Sequence, residues 1–439
     1  MTTPFPTSKG RSLLGNAPDF LKDLLFYPET LRQELGNTFQ MQIPKYNPVF
    51  TFDTDHIQHI LEKNQTNYVK SSDYNTLKIM LGKGLLTNEG EDWKLRRKAI
   101  QPIMFGDVMS FFIDTMEKHT HYLIEDWTTQ TEPIAINKPL KKLTLNIAAE
   151  AFFGQDVDHL DIDVVHAVDR LNYIGAMIMR FPRNQIPLWV PTPLHLQLRH
   201  YLKQIDSVVY GVLNSIDDPN ADHKHLLGLL LQSPQFNGTQ IRDEIVTFMV
   251  AGYETTANTL MFTLALLANN PDVQSKLREE ILAKPFHTDN WKEWMTSHTY
   301  LTAVINESMR LYPPAWIIGR RSLEEDQLGP YTLPANSTVI IDLLLMHRHP
   351  DHWKNPDTFD PERFVETPNP NKFTFMPFGG GPRVCVGQQF SRLEQMLFLD
   401  RLLTNFYLEP IQTDLELEPL ITLNTKRPQL VKMRPVSSP

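Results

Sequence analysis

Cysteine is all but missing from this sequence. One residue, Cys385, in a chain of 439 excludes an internal disulfide and any zinc site built on several cysteines. Long apolar runs are missing too. The longest, such as Leu260 to Ala268, fall short of the roughly 18 residues that read as a membrane span. Met1 to Phe20 carries no apolar signal or anchor segment. The resulting expectation is a cytoplasmic protein with no membrane anchor. Nor is positive charge in excess: a formal net charge of -9 removes nucleic acid from the expected partners. There is no internal repeat, no linker, and no Gly-rich dinucleotide or flavin fingerprint after a strand.

What the chain does have is apolar patterning, with hydrophobic residues at 41%, enough for a large core. Met109 to Trp127 and Leu140 to Phe153 place apolar residues at the three- and four-residue spacing of helices. Gln240 to Asn269 reads as a long helix, interrupted at Ala251, Gly252 and Tyr253 and stopped by Pro271. Further helices are expected over Leu194 to Ile216, over Leu301 to Leu311 and after Cys385. Thr38 to Ile43, Val49 to Phe52 and Ser337 to Asp342 are strand-like. Together these predict one large domain over residues 1–439, mainly α with a small β portion. Its β-containing stretches lie at about 1–70 and 315–385, its helical ones at about 89–311 and 386–405.

Around the cysteine the chain reads Phe378, Gly379, Gly380, Gly381, Pro382, Arg383, Val384, Cys385, Val386, Gly387. Consecutive glycines let backbone pass close to a flat ligand. A cysteine just ahead of a helix lies near that helix's N–H groups, which favours thiolate over thiol. Arg383 offers a guanidinium to a carboxylate. A buried cysteine in a Gly-rich loop is the plain alternative, yet it leaves the fixed offsets unexplained. The pattern Phe378-x-x-Gly381-x-Arg383-x-Cys385-x-Gly387 resembles the haem-binding signature of the cytochromes P450, a highly specific motif. The resemblance implies the P450 fold around a buried b-type haem, with Cys385 ligating iron and Phe378, Gly379, Arg383 and Gly387 against the haem. Thiolate ligation favours O–O bond cleavage.

Ala251-Gly-Tyr-Glu254-Thr255-Thr256 sits inside the longest helical stretch. By itself it reads as a core helix with a tolerated glycine and a solvated Glu. It is similar to the family's oxygen-activation motif. That similarity implies a groove beside the haem at Ala251, with Glu254 as acid and Thr255 as alcohol relaying protons. Two weaker motifs are placed by their order in the chain. Glu307-x-x-Arg310, with Arg363 from Pro361-Glu-Arg-Phe364, resembles the family's structural triad, although Glu29 and Arg32 share its spacing. Trp93-x-x-x-Arg97 resembles the pair that meets a haem propionate. Arg320 is assigned to the other propionate, with Arg321 as its neighbouring competitor.

The family resemblance implies a monomeric haem-thiolate monooxygenase. It uses dioxygen and electrons passed indirectly from NAD(P)H through a ferredoxin or flavodoxin and its reductase. Lys94, Arg96 and Lys98 form the expected basic patch for an acidic ferredoxin. Tyr74, Leu77, Met80, Leu86, Met177, Met179, Phe181, Leu188, Trp189, Phe248, Trp316 and their neighbours suit a fatty acid or terpenoid-like substrate. Asn172, Tyr173, Arg180, Arg183, Asn184 and Gln185 suit a polar one, for which O-demethylation is the alternative reaction. Three rivals remain: a peroxide-using peroxygenase, a non-catalytic haem protein, and a cysteine hydrolase. The intact Glu254 and Thr255 pair speaks against the first two. The third has no account of the spacing around Cys385.

Overall fold

Strand-like and helix-like stretches sort into two compact units. The computed structural model describes residues 3–10, 13–105, 109–154, 163–180, 189–214, 225–233 and 235–436. One unit comprises Met1–Thr76, Met309–Phe359 and Thr367–Cys385. The other comprises Leu77–Ser308, Asp360–Glu366 and Val386–Pro439.

The first unit is built on a six-stranded sheet. Its spatial order is Thr7–Ser8, Thr38–Met41, Val49–Thr51, Thr338–Asp342, Ile317–Ser322, Tyr68–Lys70. Val49 lies opposite Val339 in a parallel pair, and Gly319 opposite Ile340 in an antiparallel one. Every residue of Thr338–Asp342 is buried, as a central strand covered on both faces requires. Phe39 and Phe50 stack at 5.6 Å and anchor the core beneath it.

The second unit is helical. Its longest element, Gly238–Asn269, opens with a capping box, Asn237 accepting from the Gln240 N–H and Gln240 accepting from the Asn237 N–H. Pro271 follows its end, where a further N–H could not be supplied. Most of its length from Ile241 to Ala268 is buried, so it is an interior helix, apolar on nearly every side.

The expected interruption at Ala251 to Tyr253 does not occur; the helix runs unbroken. Gly252 costs about 1 kcal/mol of helix propensity. The neighbouring helix Asn137–Phe153 covers it there, with Ala148 and Phe152 closest to the missing Cβ. The Thr144 hydroxyl donates to the Tyr253 carbonyl at 2.9 Å. Tertiary packing thus overrides a weak local preference.

Helices Pro193–Asn214, Thr299–Leu311 and Gln388–Asn405 lie within a few residues of their sequence expectations. A three-stranded sheet of Phe406–Pro410, Leu430–Pro435 and Ile134–Ala135 was not foreseen. Among the described residues no helix is long and apolar enough to cross a membrane.

Candidate active site

The cysteine loop is shaped by its glycines. Gly379 and Gly381 adopt φ of +75° and +68°, the left-handed region that side chains avoid. A Cβ on Gly381 would fall 2.0 Å from the Leu61 carbonyl oxygen, so no other residue fits there. The Cys385 N–H donates to the Phe378 carbonyl at 2.9 Å, closing the loop. Gly379 N–H does the same to Met376 at 2.9 Å. Cys385 itself is exposed, three residues ahead of helix Gln388–Asn405. Phe378, Arg383 and Gly387 are partly buried around it in sequence.

Behind this loop lies a bonded path that sequence reading missed. The Met376 N–H donates to His347 Nε2 at 2.9 Å. Burial, reinforced by the nearby Arg310 and Arg348 charges, pushes the His347 pKa down to about 3, so the ring stays neutral and accepts. The His347 carbonyl accepts from Arg310 at 2.9 Å. Arg310 also donates to the Pro356 carbonyl at 2.6 Å and the Thr358 carbonyl at 3.2 Å, with Trp353 5.2 Å away as a cation–π partner.

Its helix neighbour Glu307, fully buried, accepts from Arg363 Nε at 3.0 Å and from the Asp360 N–H at 2.9 Å. Glu307 and Arg363 are therefore brought together, and Arg310 binds the backbone carbonyls around them. The competing spacing, Glu29 and Arg32, is also an ion pair, at 2.7 Å.

On the long helix, Thr255 Oγ1 donates to the Ala251 carbonyl at 2.8 Å. Val250, Ala251, Gly252 and Thr255 are partly exposed along an otherwise buried stretch. Thr256 meets Ser391 of helix Gln388–Asn405 at 2.9 Å. Glu254 is not a solvated Glu: it is buried and accepts from Asn172. Burial raises its pKa; Lys141 and the Asn172 and Thr422 hydrogen bonds oppose this, and Asp169 adds to it. Glu254 and Thr255 thus take different partners.

Trp93 is half-buried on helix Gly90–Ile100, and Arg97 Nε donates to Gln101 at 2.9 Å. One expectation on that helix is corrected. Arg96 does not belong to an exposed basic patch: it is buried, 3% exposed, and bonds Glu244 at 2.7 Å. Glu244 is fully buried and also accepts from the Leu85 N–H at 2.9 Å. A buried carboxylate needs a cation, and Arg96 supplies it.

On strand Ile317–Ser322, Arg320 is buried, whereas Arg321 reaches Asn336 at 2.6 Å near the surface. Of the pocket candidates, Met80, Phe248 and Trp316 are buried and Trp189 is 77% exposed. Asn172 is no greeter of polar ligands, because Glu254 and the turn after Pro419 occupy its amide. Phe181, Leu188, Arg183, Asn184 and Gln185 lie outside the described residues.

The family model Cytochrome P450 matches residues 5–433. This chain therefore belongs to the cytochrome P450 family, the haem-dependent oxidoreductases that act as monooxygenases. Protein LUTEIN DEFICIENT 5, chloroplastic, of Arabidopsis thaliana is 29% identical over 84% of this chain and 67% of its own length. Probable cytochrome P450 4s3 of Drosophila melanogaster is 29% identical over 94% of this chain and 88% of its own. Putative cytochrome P450 132 of Mycobacterium tuberculosis is 28% identical over 85% of this chain and 84% of its own. With the family come haem, dioxygen, electrons derived from NAD(P)H, and the need for redox partners.

Proposed function

We propose that the chain is a b-type haem-thiolate monooxygenase that hydroxylates an apolar substrate of the fatty-acid or terpenoid class. Its electrons come from a separate ferredoxin or flavodoxin and its reductase. The observation that carries this reading is the Cys385 loop. Two left-handed glycines and the bond from the Cys385 N–H to Phe378 set an exposed sulfur ahead of a helix N-terminus. That donor set fits a haem: one soft thiolate, a backbone stripped of side chains, and a guanidinium, Arg383, two residues away.

Cys385 would ligate the iron, and Trp93, Arg97, Arg320 and Arg383 would hold the propionates. Phe378, Gly379, Gly387 and Ala251 would line the haem. When bound, the haem supplies the redox chemistry that splits dioxygen. Glu307, Arg310 and Arg363 keep the surrounding backbone in place.

Thr255 is proposed to pass protons by turning its hydrogen away from the Ala251 carbonyl, which holds it at rest, toward the oxygen site as its lone pair takes up a proton from water. Glu254 is proposed to replenish them, since its burial shifts the carboxyl toward the protonated form. Thr255→Ala should retain haem and substrate binding while product per NADPH falls about tenfold and hydrogen peroxide rises. Unchanged coupling would remove Thr255 from the relay.

The apolar side chains Met80, Phe248 and Trp316 suit a long hydrocarbon. The name of the plant relative carries lutein, itself a terpenoid, which accords with that class. For the electron donor, exposed Lys94 and Lys98 replace the patch that Arg96 leaves. Charge reversal at both should slow reduction by an acidic ferredoxin several-fold at low salt and little at high salt. A salt-independent effect would end the docking idea.

The direct test of the whole reading is the absorption spectrum of the dithionite-reduced protein under carbon monoxide. A strongly red-shifted Soret band is expected. A band at the position of histidine-ligated haem, or none, would overturn it.

A further inference from the structure

A buried amide joins the acid to the hairpin formed by strands Leu417–Pro419 and Leu423–Thr425. Asn172, on helix Val164–Arg180, is 3% exposed, as is Glu254. Its Oδ1 accepts from the Ile421 N–H at 2.9 Å. Because a backbone N–H can only donate, this bond fixes which end of the amide is oxygen. The Nδ2 group is then left to donate, and it does so to Glu254 Oε1 and, at 3.2 Å, to Thr422 Oγ1. Asn258, one turn along the long helix from Glu254, holds the same hairpin by the Leu423 carbonyl at 3.0 Å. The hairpin's Ile421 side chain in turn stands against Gly175, where an added Cβ would lie 2.6 Å from Ile421 and 2.9 Å from Met80.

We infer that Asn172 is a positioning residue, whose amide sets the orientation of the Glu254 carboxyl and couples it to the turn at Ile421 and Thr422. This rests on the reading of Glu254 as the proton-supplying acid. The Ile421 N–H needs only an acceptor, and the donating half of the amide serves the carboxyl at close range and Thr422 at 3.2 Å. That half favours the ionised carboxyl, against the burial that favours the neutral one. The other charged and titratable groups facing Glu254 are Lys141, from helix Asn137–Phe153, and Asp169, which pair at 2.6 Å, and the adjacent Tyr253.

Infrared spectroscopy of the haem-loaded protein, titrated from about pH 5 to about pH 9, tests the assignment. Glu254→Gln identifies the carboxyl C=O band by its loss. In Asn172→Ala the band should move to higher frequency, and its titration midpoint should rise by about one pH unit, tenfold in proton affinity. Asn172→Asp keeps an oxygen for the Ile421 N–H but sets a second carboxyl against Glu254, so the midpoint should rise further.

A band and midpoint unmoved in Asn172→Ala would overturn the proposal. So would a shift in Asn172→Ala with none in Asn172→Asp, which would mean that the residue acts on the turn alone. If Asn172→Ala does not fold, Asn172→Asp decides by itself. The acid role is tested separately. Glu254→Gln with hydrogen peroxide release per NADPH unchanged would sink that role and leave the Asn172 contact standing.

Discussion

Replacing Cys385 by serine is expected to reduce monooxygenase activity to background and to move the Soret band of the reduced, carbon monoxide-treated protein away from its thiolate position. The swap is close to isosteric. The bond from the residue 385 N–H to the Phe378 carbonyl is a backbone bond, which serine keeps. The left-handed glycines at 379 and 381 are untouched. Stability should therefore change by less than about 1 kcal/mol, and a circular dichroism melt separates loss of ligation from loss of fold. Because the chain has one cysteine, no second thiolate can stand in. A Soret band and activity unchanged in Cys385→Ser would show that Cys385 does not ligate the iron, and the proposed chemistry would fall with it.

The second large effect is expected at Arg310. Its guanidinium is fully buried and donates to three carbonyls, those of His347, Pro356 and Thr358. Arg310→Ala leaves these acceptors without their donor inside the protein, at about 1–3 kcal/mol for each unsatisfied group. Partial relaxation brings the expected total to about 4 kcal/mol, a large share of the 5–15 kcal/mol typical of a folded domain.

The loss should also reach the cysteine loop, since His347 passes the constraint to Met376 and the Gly379 N–H closes back on Met376. Haem content after purification is expected to fall along with the urea midpoint. Arg310→Lys keeps the charge but not the planar fork, so it should recover less than half of the loss. A cost under about 1 kcal/mol for Arg310→Ala would mean that water reaches these carbonyls and that the path to the loop is not mechanical.

How legible was this in the sequence? The Cys385 loop was, because glycine and cysteine at fixed offsets leave few physical alternatives. Helix positions were, wherever apolar spacing was strong, as in Ser110–Thr128 and Asn137–Phe153. The pairing of Glu307 with Arg363 agrees with the motif, but spacing alone could not select it, since Glu29 and Arg32 pair as well.

Arg96 was misread because its partner, Glu244, lies 148 positions away, and nothing local marks an arginine as buried. Asn172 was read as a ligand contact for the same reason: its partners, Glu254 and Ile421, come from remote segments. The sheet of Phe406–Pro410, Leu430–Pro435 and Ile134–Ala135 escaped because a two-residue edge strand has no periodicity to read. The helix break at Gly252 was overcalled from a propensity that packing on Ala148 and Phe152 outweighs.

The pairing of Val49–Thr51 with Thr338–Asp342 has a consequence during synthesis. The first strand leaves the ribosome nearly three hundred residues before its partner. At about 5–20 residues per second that is a wait on the order of tens of seconds. Throughout it, Val49, Phe50 and Thr51 present an unpaired, apolar edge, the kind that invites pairing with another chain. The cysteine loop, which completes the same unit, is made later still. A nascent chain can therefore bury this edge natively only once the segment carrying Thr338–Asp342 has emerged, and chaperone dependence should be concentrated in that interval.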